Sequence, residues 1–230
     1  MGLPKIIIAI DGFSSCGKST LARDLSKRLS YTYVDTGAMY RAVTLYFLRN
    51  NIDLENLKEV SHALSKISIH FAYDDYGKQL TFLNDELVED EIRKMEITRS
   101  VSNVSSIKAV RKAMVDLQRK MGNYKGLIMD GRDIGTVVFP SAELKIFMKA
   151  NYDIRAQRRY AELIEKNVEV SMEEVLANLK ERDYLDTHRT ESPLKKASDA
   201  LVLDNSELTM EEQLDWAFHK AIEKIFNSRK

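Results

Sequence analysis

The sequence predicts an α/β fold, a parallel sheet with helices on both faces and one small β-containing insertion. Three observations predict it. Largely apolar runs of strand length, Ile6–Ile10, Leu127–Met129 and Leu144–Met148, alternate with segments of helical period. Two of these runs end in an acid followed by glycine, Asp11-Gly12 and Asp130-Gly131, the carboxyl-end position at which such sheets hold ligands. The stretch 67–88 instead alternates, with Ile67, Ile69, Phe71 and Tyr73 against Ser68, His70 and Ala72, which is the period of an antiparallel strand.

In chain order, the first run opens directly into Gly12-Phe13-Ser14-Ser15-Cys16-Gly17-Lys18-Ser19, which fits G-x-x-x-x-G-K-[ST], the phosphate-cradling loop. A polyphosphate needs many aligned N–H donors. Gly12 and Gly17 permit the backbone angles that turn consecutive N–H groups inward, and the following helix adds its positive dipole end. Lys18 is expected at the β- and γ-phosphates, and the Ser19 hydroxyl on Mg²⁺. An ordinary Gly/Ser turn would match the four fixed positions by chance in roughly one chain in a hundred. The strand before and the helix after are the context the motif requires.

Leu21, Leu25 and Leu29 mark the helix behind the loop. Tyr31–Val34 reads as a strand ending at Asp35, and Asp35-Thr36-Gly37-Ala38-Met39-Tyr40-Arg41 opens a helix to about Asn50. Arg41 falls one turn in. The insertion reads as the strand at 67–73, a turn at Tyr76-Gly77-Lys78, a strand over Leu80–Leu83, a turn at Asn84-Asp85 and a third strand over Glu86–Val88. Asp74-Asp75-Tyr76-Gly77 matches D-x-x-G formally but reads as part of a hairpin turn, and His62 and His70 have no metal-ligand company. Ile92–Met121 is helical with a break near Ser105-Ser106, and it carries Ser102 and Arg111. The strand ending at Asp130 has the form of a Walker B element. Asp130 suits either a Mg²⁺-bound water or the backbone of the turn Gly131-Arg132-Asp133-Ile134-Gly135. After the next strand, Asp153–Lys166 is a helix with Arg155, Arg158 and Arg159 in its first turns, a placement that opposes the helix dipole unless an anion is near. Ser171-Met172-Glu173-Glu174 caps a helix running into Arg182-Asp183-Tyr184-Leu185-Asp186-Thr187-His188-Arg189, and Pro193 closes that segment. Leu201–Leu203 is the last strand, and Thr209-Met210-Glu211-Glu212 caps the last helix.

Composition narrows the class. The chain has 230 residues, enough for one sizeable core, with Lys+Arg and Asp+Glu both at 35. No net field is available to hold nucleic acid or an anionic membrane. No apolar run reaches the ~18 residues of a membrane helix, and Met1–Lys5 leads straight into the first strand, so a leader peptide is not expected. Cys16 is the one cysteine, which excludes an internal disulfide. A cytoplasmic monomer is expected. Cys16 reads as a small side chain on a loop whose backbone does the binding.

Lys18, Arg41, Arg132, Arg158, Arg159, Arg182 and Arg189 are expected to gather around the loop. One polyphosphate tail does not need so many cations, whereas transfer between two phosphates does, because donor and acceptor oxygens repel and the moving group spreads its charge. An acceptor that is already a phosphate needs little acid–base work, consistent with the lack of a Ser/His/Asp set.

Asp11-Gly12…Gly17-Lys18-Ser19, Asp35-Thr36-Gly37-Ala38-Met39-Tyr40-Arg41, Asp130-Gly131-Arg132-Asp133-Ile134-Gly135-Thr136-Val137-Val138-Phe139-Pro140 and Arg182-Asp183…Asp186…Arg189 together resemble the bacterial cytidylate kinases, P-loop nucleoside monophosphate kinases that phosphorylate CMP and dCMP. The resemblance covers nearly the whole chain. It implies one kinase domain over 1–230, with a P-loop core at about 1–60, 101–150 and 190–230, a nucleoside-monophosphate-binding insertion at about 61–100 and a lid at about 155–185. It implies ATP with Mg²⁺ as donor, held by Gly12, Phe13, Ser14, Ser15, Cys16, Gly17, Lys18, Ser19 and Thr20. It implies that Arg41, Arg132 and Arg189 hold the acceptor phosphate, that Asp186 accepts from the sugar hydroxyls, and that Ser102, Arg111 and Asp133 read the base, with Thr36 also at the CMP site. Lys18, Arg132, Arg158, Arg159, Arg182 and Arg189 are then the catalytic cations. The chain departs from the family pattern at Thr36, where Ser is frequent, at Cys16, where a small residue such as Ala is usual, and at Ser19, where some members have Gly. None of these removes a backbone donor. A kinase for a hydroxyl acceptor would need a catalytic base that is not evident, and a nucleotide switch would need an N/T-K-x-D segment that is absent.

Overall fold

The computed structural model describes residues 4–75 and 79–228, so the expected turn Tyr76-Gly77-Lys78 lies outside the described residues. In chain order the elements are β1 (Ile7–Gly12), α1 (Lys18–Leu29), β2 (Thr32–Asp35), α2 (Thr36–Arg49), α3 (Leu57–Ser65), β3 (Ile69–Tyr73), β4 (Gln79–Leu83), β5 (Glu86–Leu87), a 3₁₀ turn (Glu91–Arg93), α4 (Met95–Ser106), α5 (Lys108–Met121), β6 (Leu127–Gly131), a π-helical turn (Ile134–Val138), β7 (Leu144–Lys149), α6 (Tyr152–Glu165), α7 (Met172–His188), β8 (Leu201–Asp204) and α8 (Met210–Asn227). They form two compact units, Met1–Val34 with Met121–Lys230, and Asp35–Lys120. The second contains the expected 61–100 stretch.

The first unit holds a five-stranded sheet in the order β2-β6-β1-β7-β8, with β1 parallel to β6 and β7, and β7 parallel to β8. Ile8 and Ile10 of β1 lie beside Ile128 of β6 and Leu144 and Ile146 of β7, all fully or almost fully buried. Leu21 and Leu25 of α1 and Ala217, Ala221 and Ile225 of α8 pack against this layer. Each such Leu or Ile contributes about 1.5–3 kcal/mol relative to exposure. The register aligns the strand ends that carry the phosphate loop: Asp11 pairs with Gly131 on one side and Phe147 on the other, which brings the ends of three strands level.

In the second unit β3, β4 and β5 form the expected antiparallel meander. Asn84 and Asp85 take positive φ of 49° and 65° and close the β4–β5 hairpin in the primed-turn manner. The helical break falls at Ile107, one residue beyond Ser105-Ser106. α3 was not expected. Its N-cap, Asn56, accepts from the Glu59 N–H.

Candidate active site

The phosphate loop owes its shape to two glycines. At Gly12, φ is 155° and a Cβ would stand 2.2 Å from the Met148 carbonyl oxygen, so no side chain fits against β7. Gly17 is the N-cap of α1 in the left-handed region, at φ 87°. Behind the loop, Asp11 accepts from the N–H groups of Ile134 and Gly135 at 2.8 and 2.7 Å, which ties the end of β1 to the turn carrying Arg132 and Asp133. Burial, and to a smaller extent the Asp133 charge, pushes the Asp11 carboxyl up to about 6 against those hydrogen bonds and Lys18.

Lys18 is buried, and its ammonium donates to the Phe13 carbonyl at 2.5 Å. Burial, helped by Arg132, holds it below the ordinary lysine value. Ser19 Oγ donates to Asp130 Oδ2 at 2.9 Å, and Tyr33 donates to the other Asp130 oxygen at 2.9 Å. Asp130 is buried and is thereby joined to the hydroxyl of the P-loop serine and to the Tyr33 phenol. Ser19 and Asp130 offer two hard oxygens, the donor type Mg²⁺ prefers beside phosphate and water. Among the described residues no group of three or more His, Cys, Asp or Glu could hold a metal unaided.

Arg132 spans the site. Its Nη2 donates to Ser14 Oγ at 2.8 Å and its Nε to Asp186 Oδ2 at 2.7 Å. Arg189 approaches Asp186 at 3.7 Å and Asp133 at 4.0 Å, and both Asp133 and Asp186 are buried. Burial would raise the Asp186 carboxyl, but Arg132, Arg189 and Arg182 outweigh it and hold it below the usual carboxylate range. The same attraction holds Arg132 above its ordinary value although burial works the other way.

The expected lid arginines part company. Arg158 reaches Asn205, with Nη1 on Oδ1 at 3.2 Å and Nη2 on the backbone oxygen at 2.9 Å. Arg159 pairs with Glu162 on its own helix at 2.8 Å and makes no bond to the loop. The guanidinium that does reach the loop is Arg155. It pairs with Asp183 at 2.7 Å, donates to the Ser14 carbonyl at 3.3 Å and stands 5.2 Å from the Phe13 ring centroid. Helical spacing set Arg155 beside Arg158 and Arg159 but did not single it out. Asn205 was likewise missed, since a lone Asn after a strand carries no motif.

In the second unit, Asp35 caps α2 by accepting from Ala38 N–H at 2.9 Å and pairs with Arg41 at 3.1 Å and with Arg93 at 2.9 Å. Burial works against this carboxylate, but Arg41 and Arg93 hold it well below the usual range. Arg93, also paired with Glu89 at 2.8 Å, has no sequence signal of its own. Thr36 is the buried first residue of α2. Arg111 is buried, donates to the Ser105 carbonyl at 3.1 Å and faces the Tyr40 ring at 5.3 Å, and Ser102 lies on α4. Cys16 is buried, with Sγ 3.0 Å from the Phe13 carbonyl. His70 stacks on Phe82, their centroids 4.9 Å apart.

Comparison with known proteins bears on this arrangement. The family described as cytidylate kinase matches residues 8–223. The cytidylate kinase of Bacteroides fragilis is 54% identical over 227 residues, covering 96% of this chain and 99% of its own. That of Fusobacterium nucleatum is 50% identical over 223 residues, covering 97% of this chain and all of its own. Among solved structures, an uncharacterized protein from Eubacterium ventriosum matches with a TM-score of 0.53 at 12% identity, covering 96% of this chain and 99% of its own, a likeness of fold. No helix among the described residues is long and apolar enough to cross a membrane.

Proposed function

The chain belongs to the cytidylate kinase family, and from that premise we propose that it carries the γ-phosphoryl group of ATP to CMP or dCMP, giving ADP and CDP or dCDP. The observation that carries the geometric side of this reading is Arg132. One guanidinium joins Ser14 of the phosphate loop to Asp186, the carboxylate expected at the acceptor sugar. A fork so placed can hold oxygens of both substrates while charge shifts from one to the other.

In this reading the loop from Gly12 to Thr20 takes the donor phosphates and Lys18 neutralises their far end. Ser19 and Asp130 would hold Mg²⁺, which when bound draws charge from the donor phosphates. Arg41, Arg132 and Arg189 take the acceptor monophosphate, and Asp186 accepts from its sugar. Thr36, Ser102, Arg111 and Asp133 serve the cytosine nucleotide. The amino group of cytosine donates where uracil would present a carbonyl, so a carboxylate at Asp133 favours cytosine. Arg158, Arg159 and Arg182 complete the cationic set. Arg155 joins them on the strength of its contact with Ser14, and Arg159 is the weaker member because it must first leave Glu162. Catalysis then consists of bringing two anions in line and stabilising the transferred group, with no protein nucleophile. Equal numbers of acidic and basic residues and a single cysteine support a cytoplasmic monomer.

The test is a coupled ADP-release assay with CMP, dCMP, UMP and no acceptor. ADP release should depend on CMP or dCMP and be much slower with UMP. Release at one rate with or without CMP would refute the reading.

A further inference from the structure

Asn205 follows β8 and is 1% exposed. Its bonds reach four parts of the first unit. Its Nδ2 donates to the Cys16 carbonyl at 2.9 Å and to Gln213 Oε1 of α8 at 2.8 Å. Its Oδ1 and its backbone oxygen accept from Arg158 of α6. Its own N–H donates to the Lys149 carbonyl at the end of β7, at 3.0 Å. Both amide hydrogens and the amide oxygen are thus used, which leaves this side chain one orientation.

The bond to Cys16 has a geometric consequence. A trans peptide points its C=O and the next N–H in opposite directions. With the Cys16 oxygen turned onto Asn205, the Gly17 N–H must point away from Asn205. A peptide flanking glycine is the kind that flips easily, because both signs of φ are open to that residue. Gly17 itself sits at φ 87°, and a Cβ there would lie 3.5 Å from the Asn205 amide nitrogen. A phosphate cradle works only if its N–H groups already converge before the anion arrives.

We infer that Asn205 is a positioning residue for the donor phosphates: by holding the Cys16 carbonyl, it keeps the Gly17 N–H turned into the phosphate loop. The inference rests on the reading of that loop as the ATP phosphate site. It assigns Asn205 no contact with substrate.

The variant that tests it is Asn205→Ser, which adds no charge and is too short to reach the Cys16 oxygen. Binding of ATP and of inorganic tripolyphosphate is measured by calorimetry, and KM for ATP and for CMP by steady-state kinetics. We expect ATP and tripolyphosphate to bind about tenfold or more weakly, the loss of one well-placed hydrogen bond, with the KM for CMP within about twofold of wild type. Unchanged tripolyphosphate binding would overturn the inference. So would weakened ATP with unchanged tripolyphosphate, which would make Asn205 a contact of the base, and so would an equal rise in both KM values, the mark of a general structural defect. A wild type that bound neither ATP nor tripolyphosphate would refute the phosphate-loop reading, and this inference with it. If Asn205→Ser fails to fold, Asn205→Thr, which is also uncharged and too short to reach the Cys16 oxygen, is held to the same outcomes.

Discussion

Replacing Asp11 with Asn should remove a pH dependence of stability whose sign is unusual for a carboxylate. Asp11 is buried beneath the turn at Ile134-Gly135, and its carboxyl is pushed from 3.8 to about 6 by burial, with Asp133 adding to the effect and Lys18 opposing it. The stem of Lys145 lies beside Asp11 against Gly135, its ammonium engaged with Asp199 at 2.9 Å. Between pH 3.8 and about 6 the folded protein therefore holds a proton at Asp11 that the unfolded chain has released. Stability then falls as pH rises through this window and is regained as pH falls through it. At about 1.4 kcal/mol for each pH unit, the gain of wild type over Asp11→Asn on going from pH 7.5 to pH 4 is about 3 kcal/mol. Asn cannot titrate, and it satisfies only one of the two N–H donors, so the variant is offset at every pH. The offset does not matter; the change in the difference does. Urea unfolding of both proteins at pH 4, 5, 6 and 7.5 measures it. A wild-type-minus-variant difference that stayed constant across the series would refute the claim that burial governs this carboxyl.

Two other buried acids carry expectations of their own. Asp133→Asn replaces an acceptor with a group that can also donate to a carbonyl, so the preference for CMP over UMP in kcat/KM should fall by about tenfold to a hundredfold; an unchanged ratio would remove Asp133 from base reading. Asp35→Ala leaves Arg41 and Arg93 without their shared carboxylate and uncaps α2, which should cost about 3–5 kcal/mol in chemical denaturation. Because the Asp35 carboxyl is held below its ordinary 3.8, that contribution is fully present above pH 3.8 and is lost as pH falls further, so acid unfolding should be shallower in the variant.

What the sequence disclosed, and what it did not, divides by the range of the forces involved. The phosphate loop, the caps at Ser171 and Thr209 and the Asn84-Asp85 turn are set by neighbours within a few residues, and each was legible. The parallel sheet was legible because β1, β6 and β7 are largely apolar. α3 was passed over although Val60, Ala63 and Leu64 keep helical spacing and Asn56-x-x-Glu59 spells a helix start. Ser19 and Asp130 were each singled out, but not as a pair, since they are 111 residues apart in the chain. Arg155, Arg158 and Arg159 lie on one helical face by spacing. Only Asp183, on a different helix, and Asn205, after a distant strand, separate the one that bonds the loop from the two that do not. Arg93 has the same history, its role created by Asp35, 58 residues away.

The pairing of these arginines also explains how so many cations can be stored in one protein without a net charge. Arg132 rests on Asp186, Arg155 on Asp183, Arg189 between Asp133 and Asp186, and Arg41 on Asp35. Unpaired, buried guanidinium groups would repel one another and destabilise the fold before any substrate arrived. Each carboxylate offsets that repulsion and, where it accepts a hydrogen bond, as from Arg132 and Arg41, also orients the fork, so that in the proposed reading an arriving phosphate meets donors already aimed. The cost is a competition, because every phosphate oxygen must draw a guanidinium partly from a carboxylate that holds it. That competition favours ligands with more negative charge than one carboxylate, which a phosphate monoester dianion has and a neutral hydroxyl lacks. In the proposed reading, acids hold the phosphate-binding cations in place until a polyanion competes for them.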